Sequence, residues 1–261
     1  PSVGTAGGDV PLHIAAELGH NNIIGLRLSA GANVNAVGRN QDTPLGRAAF
    51  PENLTGCSKL IKAGGDMNSR NCQDCTPLHR AVIVENFKIV KLLLENGADK
   101  GIGMDRIIIN AHDSGIFLGL RDEQDQPFMT EGVTPLHQAV ANNNMKIVKL
   151  LVEYGSKVNT DGVSPLQLAV RLDRTDIAKY LLKHEANCID KLPGGQTFLH
   201  LSTMHGNCRI AEILLTKGVL IDDIELQNGH SALYLAANHQ QPDMIRFLLK
   251  EEANKEARDK S

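Results

Sequence analysis

The stretch that decides the fold runs from Thr76-Pro-Leu-His-Arg-Ala-Val82 through Phe87-Lys-Ile-Val-Lys-Leu-Leu-Leu94 and closes at Gly97. Its opening seven residues recur along the chain in copies that begin at residues 10, 43, 76, 134, 164, 197 and 231. The steps between copies are 33, 33, 58, 30, 33 and 34 residues, so a unit of one size repeats and one step is much longer. Self-similarity at such a period is typical of a stacked repeat protein.

Each residue type in this stretch has a local structural reason. Thr76 is a good N-cap, and the proline after it suits the first helical turn, where a missing N–H costs nothing. Leucine and paired small residues follow at spacings of three and four and form one narrow apolar stripe. A second apolar helix ends at Gly97, which can adopt the left-handed conformation of a C-cap. The sequence therefore predicts two short helices per repeat, followed by a polar, turn-prone segment.

The Thr-Pro-Leu-His-x-Ala-Ala template, a second helix ending in Leu-Leu-Leu-x-x-Gly-Ala and the regular step together resemble the ankyrin-repeat family. The resemblance covers nearly the whole chain and implies an all-α fold: a solenoid of paired antiparallel helices with projecting β-hairpin fingers. One pair cannot bury its own apolar face, so stability should come from neighbouring repeats. We predict a single array over residues 1–261, with repeats that start near residues 9, 42, 75, 133, 163, 196 and 230.

Some repeats depart from the template. Gly46, Gln167 and Tyr234 stand where the template has histidine. Gly25 and Arg27 interrupt the apolar pattern of the second helix in the first repeat. We therefore expect repeats one, two and seven to be looser than repeat three.

Composition and charge exclude several function classes. The 27 basic and 30 acidic residues give a net charge of −3, which is too balanced to indicate a nucleic-acid binder. No apolar run approaches the roughly 18–20 residues that span a bilayer, so we expect no membrane insertion by this segment. The five cysteines form no regular framework, which predicts reduced thiols in an intracellular, cytoplasmic protein.

The reactive side chains are better explained by structure than by catalysis. The template histidines recur about one repeat apart, and stacking would separate them by roughly 10 Å, too far to share a zinc ion. Cys72-Gln-Asp-Cys75 has no second ligand pair, and the chain contains no phosphate loop or nucleophile elbow. We predict no catalytic residue, no metal, no cofactor and no small-molecule substrate. The template histidines, which the family resemblance implies are structural, are His13, His79, His137 and His200.

The family resemblance also implies where a partner protein would bind: at the fingers and on the concave face made by the first helices. On the concave face, the template exposes three positions of each repeat: the residue after the histidine and the two residues after the alanine pair. These positions mix arginine with apolar side chains, a combination favoured at interaction sites, although scattered surface residues are the alternative. The predicted contact residues of this face are Leu18, Arg47, Arg80, Ile83, Val84, Arg171, Leu172, Met204, His205 and His239.

The long step falls in the finger after the third repeat, where an insertion at about residues 101–130 adds 25 residues. Two apolar runs, 106–110 and 116–120, flank a turn signal, which predicts an extended hairpin. A loop this long within a compact array is typically functional or disordered. We predict a partner-specific or autoinhibitory element, the alternative being an insertion packed on its own stack. Its predicted contact residues are Ile108, Ile116, Phe117 and Leu118.

These expectations combine into a non-catalytic module that binds another protein through its concave face and fingers. In one version it is part of a larger scaffold, channel, toxin or effector protein. The apolar terminal repeats favour that version, because a freestanding array needs polar outer faces, and we expect the chain to be cut from a longer protein. A second version is a soluble inhibitor or adaptor similar to inhibitor-of-NF-κB proteins. A third is the substrate-recognition segment of an enzyme whose catalytic domain lies elsewhere.

Overall fold

The computed structural model describes residues 8–104, 132–226 and 228–256. Over these ranges the chain forms fourteen α-helices and two short 3-10 turns, Arg39–Gln41 and Pro193–Gly195. The described residues fall into two compact units, which divide in the sequence between Lys157 and Val158. The first unit contains α1 (Pro11–Glu17), α2 (Asn21–Ser29), α3 (Pro44–Ala49), α4 (Leu54–Lys62), α5 (Pro77–Ile83), α6 (Phe87–Glu95), α7 (Pro135–Ala141) and α8 (Met145–Glu153). The second contains α9 (Pro165–Arg171), α10 (Thr175–Lys183), α11 (Phe198–Met204), α12 (Cys208–Thr216), α13 (Ala232–Asn238) and α14 (Pro242–Lys250).

The helices of each unit pack in two layers. In the first unit the odd-numbered helices α1, α3, α5 and α7 contact one another in order, and α2, α4, α6 and α8 form the second layer. The second unit repeats this scheme with α9, α11 and α13 against α10, α12 and α14. The core lies between the layers, where Leu78 and Ala81 of α5 meet Ile89 and Leu93 of α6, all fully buried. Each large apolar side chain buried in this way contributes about 1.5–3 kcal/mol.

Side-chain caps set the helix starts. Thr76 Oγ1 accepts from the backbone N–H of His79 at 3.4 Å, and the His79 ring Nδ1 accepts from the Thr76 N–H at 3.3 Å. This reciprocal capping box fixes the first turn of α5. The ring Nε2 then donates to the carbonyl of Val133, 3.0 Å away in the following finger. Four of the second helices begin instead on an asparagine whose side-chain oxygen accepts from the backbone N–H three residues later: Asn53, Asn86, Asn144 and Asn207.

The fingers, which join each second helix to the next first helix, are built mainly from turns. In the described ranges they contain two isolated antiparallel bridges, Met104–Val133 and Ile224–Ser231. Neighbouring fingers are joined by what we call a rung: an Asn or Asp side-chain oxygen accepts from a backbone N–H of the next finger. The rungs, 2.7–2.9 Å long, join Asn35 to Asp66, Asn68 to Asp99, Asn159 to Asn187 and Asp222 to Asn254.

The residues on either side of the predicted insertion meet within the first unit. Met104 and Val133 exchange backbone hydrogen bonds of 3.0 and 2.9 Å. Beside them Gly103 and Gly132 lie so close that a Cβ on Gly103 would come within 2.6 Å of the Gly132 Cα. Residues 105–131 lie outside the described ranges, and so do Ile108, Ile116, Phe117 and Leu118. The hairpin and its contact residues therefore stay predictions.

The first repeat has the weakest apolar pattern. Despite Gly25 and Arg27, α2 runs unbroken from Asn21 to Ser29, and Ile24 is its buried residue. Lys59 of α4 donates to the Asn21 carbonyl at 2.7 Å, which ties the helix to its neighbour. Contact with the next repeat thus maintains a helix that its own sequence supports poorly. The predicted looseness of this repeat stays a prediction.

The turn after each second helix needs a residue with a left-handed backbone, and the chain does not always supply glycine there. Glu185 and Glu252 hold this position with φ of 65° and 66°. A side chain in this conformation costs roughly 1–2 kcal/mol, which glycine avoids. Glycine fills the equivalent positions at Gly31, Gly64, Gly97, Gly155 and Gly218.

Replacing Glu252 with glycine is therefore expected to stabilise the C-terminal repeat by about 0.5–1 kcal/mol, the relief of strain less the added flexibility of the unfolded chain. Slower amide hydrogen exchange in α14 would report the gain. Glu251→Gly is the matched control, because Glu251 has an ordinary φ of −83°. That change should destabilise the repeat, and equal effects of the two substitutions would contradict the explanation.

Candidate interaction surface

Arg47 and Arg80, predicted to face a partner, converge instead on a buried carboxylate. Asp42 pairs with the Arg47 Nε at 3.0 Å and with Arg80 through its other oxygen. Asn71 donates to the same side chain at 3.1 Å. Arg47 also contacts Glu17 at 3.0 Å, so the group joins the first three repeats. The two arginine side chains are only 13% and 17% exposed, which corrects the expectation that they project freely into solvent.

Ile83 and Val84 are buried, so the expectation that they lie on the surface is wrong. The next repeat contacts this end of α5: the Asn142 side chain donates to the carbonyls of Val82 at 3.1 Å and Ile83 at 3.4 Å. These bonds seat α7 against the end of α5. The two residues therefore belong to the interface between repeats, and in this structure they offer no surface to a partner.

Apolar side chains are nevertheless exposed on the first helices of the first unit. Leu18 is 61% exposed, as predicted from the template, and Phe50 of the next repeat is 41% exposed. Ile14, one turn before Leu18, is exposed as well. The Arg80 guanidinium lies 5.1 Å from the centre of the Phe50 ring, a cation–π distance that holds the ring in place. We call Ile14, Leu18 and Phe50 the first-unit patch.

The second unit exposes a different set of the predicted residues. His205 and His239 are exposed, whereas Arg171, Leu172 and Met204 are half-buried. Their role in binding a partner stays a prediction. The leucines that follow the histidine position in these repeats are buried under their neighbours: Leu168, Leu201 and Leu235.

Four exposed apolar residues on the fingers of the second unit were not predicted as contacts. Ile189 and Leu220 stand at finger positions that most other repeats fill with Asn or Asp, and Ile224 and Leu226 follow nearby. The replacement of a polar residue by an apolar one at Ile189 and Leu220 is visible in the sequence. It can be interpreted as a break in the pattern only once the hydrogen bonds between neighbouring fingers are known.

The reactive groups of the first unit are arranged for structure. Burial raises the pKa of the Cys75 thiol to about 12, and its Sγ lies 3.5 Å from the Met104 Sδ. Burial lowers the pKa of His79 to about 4, which keeps the ring neutral in its capping role. Within residues 8–104, 132–226 and 228–256, no three His, Cys, Asp or Glu side chains cluster as metal ligands would. No helix of these ranges is long and apolar enough to cross a membrane.

Comparison with known proteins shows the family to which the chain belongs. A family model described as ankyrin repeats matches three stretches, residues 6–103, 107–191 and 184–259. The chain belongs to the ankyrin-repeat family. Ankyrin repeats are protein-interaction modules, and the fold is typically non-catalytic.

Several known proteins are similar to this chain. Cortactin-binding protein 2 of Mus musculus and of Equus caballus is 37% identical over 70 residues, which is 27% of this chain and 4% of those proteins. The ankyrin repeat domain of human ASB11 superposes with a TM-score of 0.68 at 24% identity, over 94% of this chain and 99% of that domain. The ankyrin repeat domain of Bcl-3, described as a member of the IkappaB protein family, gives 0.71 at 23% identity, over 93% and 99%.

Proposed function

We propose that this chain binds another protein, without catalysis of its own, through the exposed face of its first helices and through its fingers. The first-unit patch carries the proposal. Its apolar side chains remain in solvent although the surrounding charges are paired within the protein, and exposed apolar groups rimmed by polar ones mark interaction sites. His205 and His239 are the proposed contacts on the first-helix face of the second unit.

The wider role that we propose is recognition within a larger scaffold, channel, toxin or effector protein. The relatives with 37% identity support this version, because the 70 residues that match are only 4% of their length. The net charge of −3 supports a protein partner over a nucleic acid.

The first-unit patch can be tested by placing charge on it. Leu18→Asp combined with Phe50→Asp should reduce the capture of partner proteins in cells about thirtyfold, because a central apolar contact contributes about 2 kcal/mol or more. Proximity labelling from the tagged chain, quantified by mass spectrometry, measures the loss. The matched control is Leu26→Asp, which changes an equally apolar, exposed side chain on the other helix of the first repeat. Partners lost equally in both variants, or retained in both, would count against the proposal.

A further inference from the structure

The rung pattern is broken at one place among the described fingers of the second unit. The break lies between the α11 finger (residues 185–197) and the α13 finger (residues 218–231). Ile189 occupies the position that Asn159 and Asp222 hold in the neighbouring rungs, and Leu220 occupies the position of the N–H donor. These two side chains are 56% and 70% exposed. Ile189 and Leu220 are thus exposed to solvent at positions where the neighbouring rungs have polar residues. Such exposed apolar side chains favour a role of this surface in binding a partner.

The two fingers are nonetheless held side by side. Lys191 of the α11 finger pairs with Asp223 of the α13 finger at 2.6 Å. The backbone N–H of Leu226 donates to the Gly194 carbonyl at 3.1 Å. The apolar pair is therefore displayed on a fixed framework, and little conformational entropy remains to be lost on binding.

A polar cleft of about 310 Å³ lies between the α11 finger and the α9 finger (residues 158–164). Asp190, directly after Ile189, lines the cleft together with Asp161 and Lys191. The charge of Lys191 is already engaged by Asp223. Neither Asp161 nor Asp190 has a cationic partner among the residues that the structure describes. The cleft is therefore negatively charged and open to a cation.

Gln167 gives the cleft a second, independent feature. It replaces the template histidine, whose ring Nε2 donates to the next finger in other repeats, as His200 does to the His230 carbonyl at 3.0 Å. Gln167 is only 4% exposed and lines the cleft, yet its side-chain amide makes no hydrogen bond within the described part of the chain. The amide therefore faces the cleft, where a ligand could form hydrogen bonds with it.

We propose that this finger surface, formed by Ile189, Leu220 and the cleft of Asp161, Asp190 and Gln167, binds an extended segment of a partner protein in which an arginine lies beside apolar side chains. The inference rests on the proposed function and names the chemistry of the partner. A guanidinium offers five N–H donors in a plane, which matches two carboxylates and an amide oxygen better than the single ammonium of lysine. The apolar neighbours of the arginine cover Ile189 and Leu220. The polar lining distinguishes the cleft from small-molecule sites, which are predominantly apolar.

The test is a selection of short randomised peptides against the immobilised full chain. Enriched peptides should carry arginine within two positions of a leucine, isoleucine, valine or phenylalanine. The affinity of an enriched peptide, measured by fluorescence anisotropy, should fall about tenfold or more in Asp161→Asn combined with Asp190→Asn, and similarly in Ile189→Ser combined with Leu220→Ser. It should also weaken with added salt, because the carboxylates are solvent-accessible. Asp176→Asn, an exposed acid on α10 of the same unit, is the control and should leave the affinity unchanged.

Thermal melting confirms that each variant is folded before binding is measured. Enrichment of peptides without arginine, affinities that both double variants leave unchanged, or the absence of any enriched peptide would overturn the inference. Leu18→Asp should not change peptide binding. If peptides bind as expected while Leu18→Asp with Phe50→Asp releases no cellular partner, the proposal for the first-unit patch fails and the finger site stands. If cellular partners are released but no peptide is selected, the finger site fails alone.

Discussion

Replacing Asp42 with alanine is expected to lower the free energy of unfolding by about 3–5 kcal/mol, because it leaves two largely buried arginines without their shared carboxylate. Arg47 and Arg80 both pair with Asp42, and the Asn71 amide donates to it. The Asp42 carbonyl also faces the His13 ring Nε2 at 3.1 Å, so the residue is tied to the first repeat through its backbone as well. Urea denaturation followed by circular dichroism measures the change.

An exposed ion pair provides the matched control. Asp243 and Arg246 on α14 are 84% and 74% exposed, so Asp243→Ala should change stability by less than about 0.5 kcal/mol. Changing Asp42, Arg47 and Arg80 together to leucine should restore part of the lost stability, because neither arginine then remains without the Asp42 carboxylate. The recovery is incomplete because Asp9, which is 13% exposed, loses its ion pair with Arg47. A loss below about 1 kcal/mol for Asp42→Ala would show that the arginines are not held by this carboxylate.

Acidification is expected to destabilise the third repeat before its carboxylates are protonated. Burial lowers the pKa of His79 from 6.5 to about 4, whereas in the unfolded chain the ring takes up a proton near 6.5. The unfolded state therefore binds more protons over this interval, and stability falls with pH. The contribution is fully present above pH 6.5 and is lost as the pH approaches about 4, a change of about 3 kcal/mol at about 1.4 kcal/mol per pKa unit. Burial lowers the pKa of His200 as well, which adds to the same trend in the second unit.

His79→Gln separates this effect from general acid denaturation. Glutamine is the residue that the fifth repeat already carries at this position, as Gln167. The variant should be less stable at neutral pH, because it lacks the ring that bonds both Thr76 and Val133. Its stability should, however, depend much less on pH between about 6.5 and 4. Denaturation curves across this interval would contradict the explanation if the wild-type chain and the variant lost stability in parallel.

The helices were predictable because their determinants act over a few residues. Thr76 as N-cap, proline at the first helical position and the Leu–Ala stripe predicted a helix, and α5 begins at Pro77 with that cap. The asparagine caps of the second helices were missed, although the sequence held a signal: Asn86 lies three residues before Ile89 in a pattern that recurs. An N-cap residue at a fixed distance before an apolar run is a readable start signal.

The surface was less predictable because exposure depends on partners far along the chain. The template gave the helical position of Arg80, but the carboxylate that holds it lies 38 residues earlier. The Ile83 carbonyl accepts a hydrogen bond from an asparagine 59 residues later, across the insertion. Gln167 was recognised as a departure from the template, but its position in the lining of a cleft depends on the packing of neighbouring fingers. Predicting such contacts requires knowing which residues of neighbouring repeats face each other, and no local sequence pattern contains that information.

The Met104–Val133 bridge has a consequence for how this protein could be enlarged. The segment between these residues departs and returns through a single pair of hydrogen-bonded positions, and His79 fixes the return strand by the Val133 carbonyl. Sequence added between them would not alter the spacing of α5 to α7. The entropy of closing a longer loop grows only by about 0.6 kcal/mol for each doubling of its length. The position between Met104 and Val133 is thus suited to the insertion of a binding peptide or a small domain. The array would carry the inserted segment without any change to its own repeats.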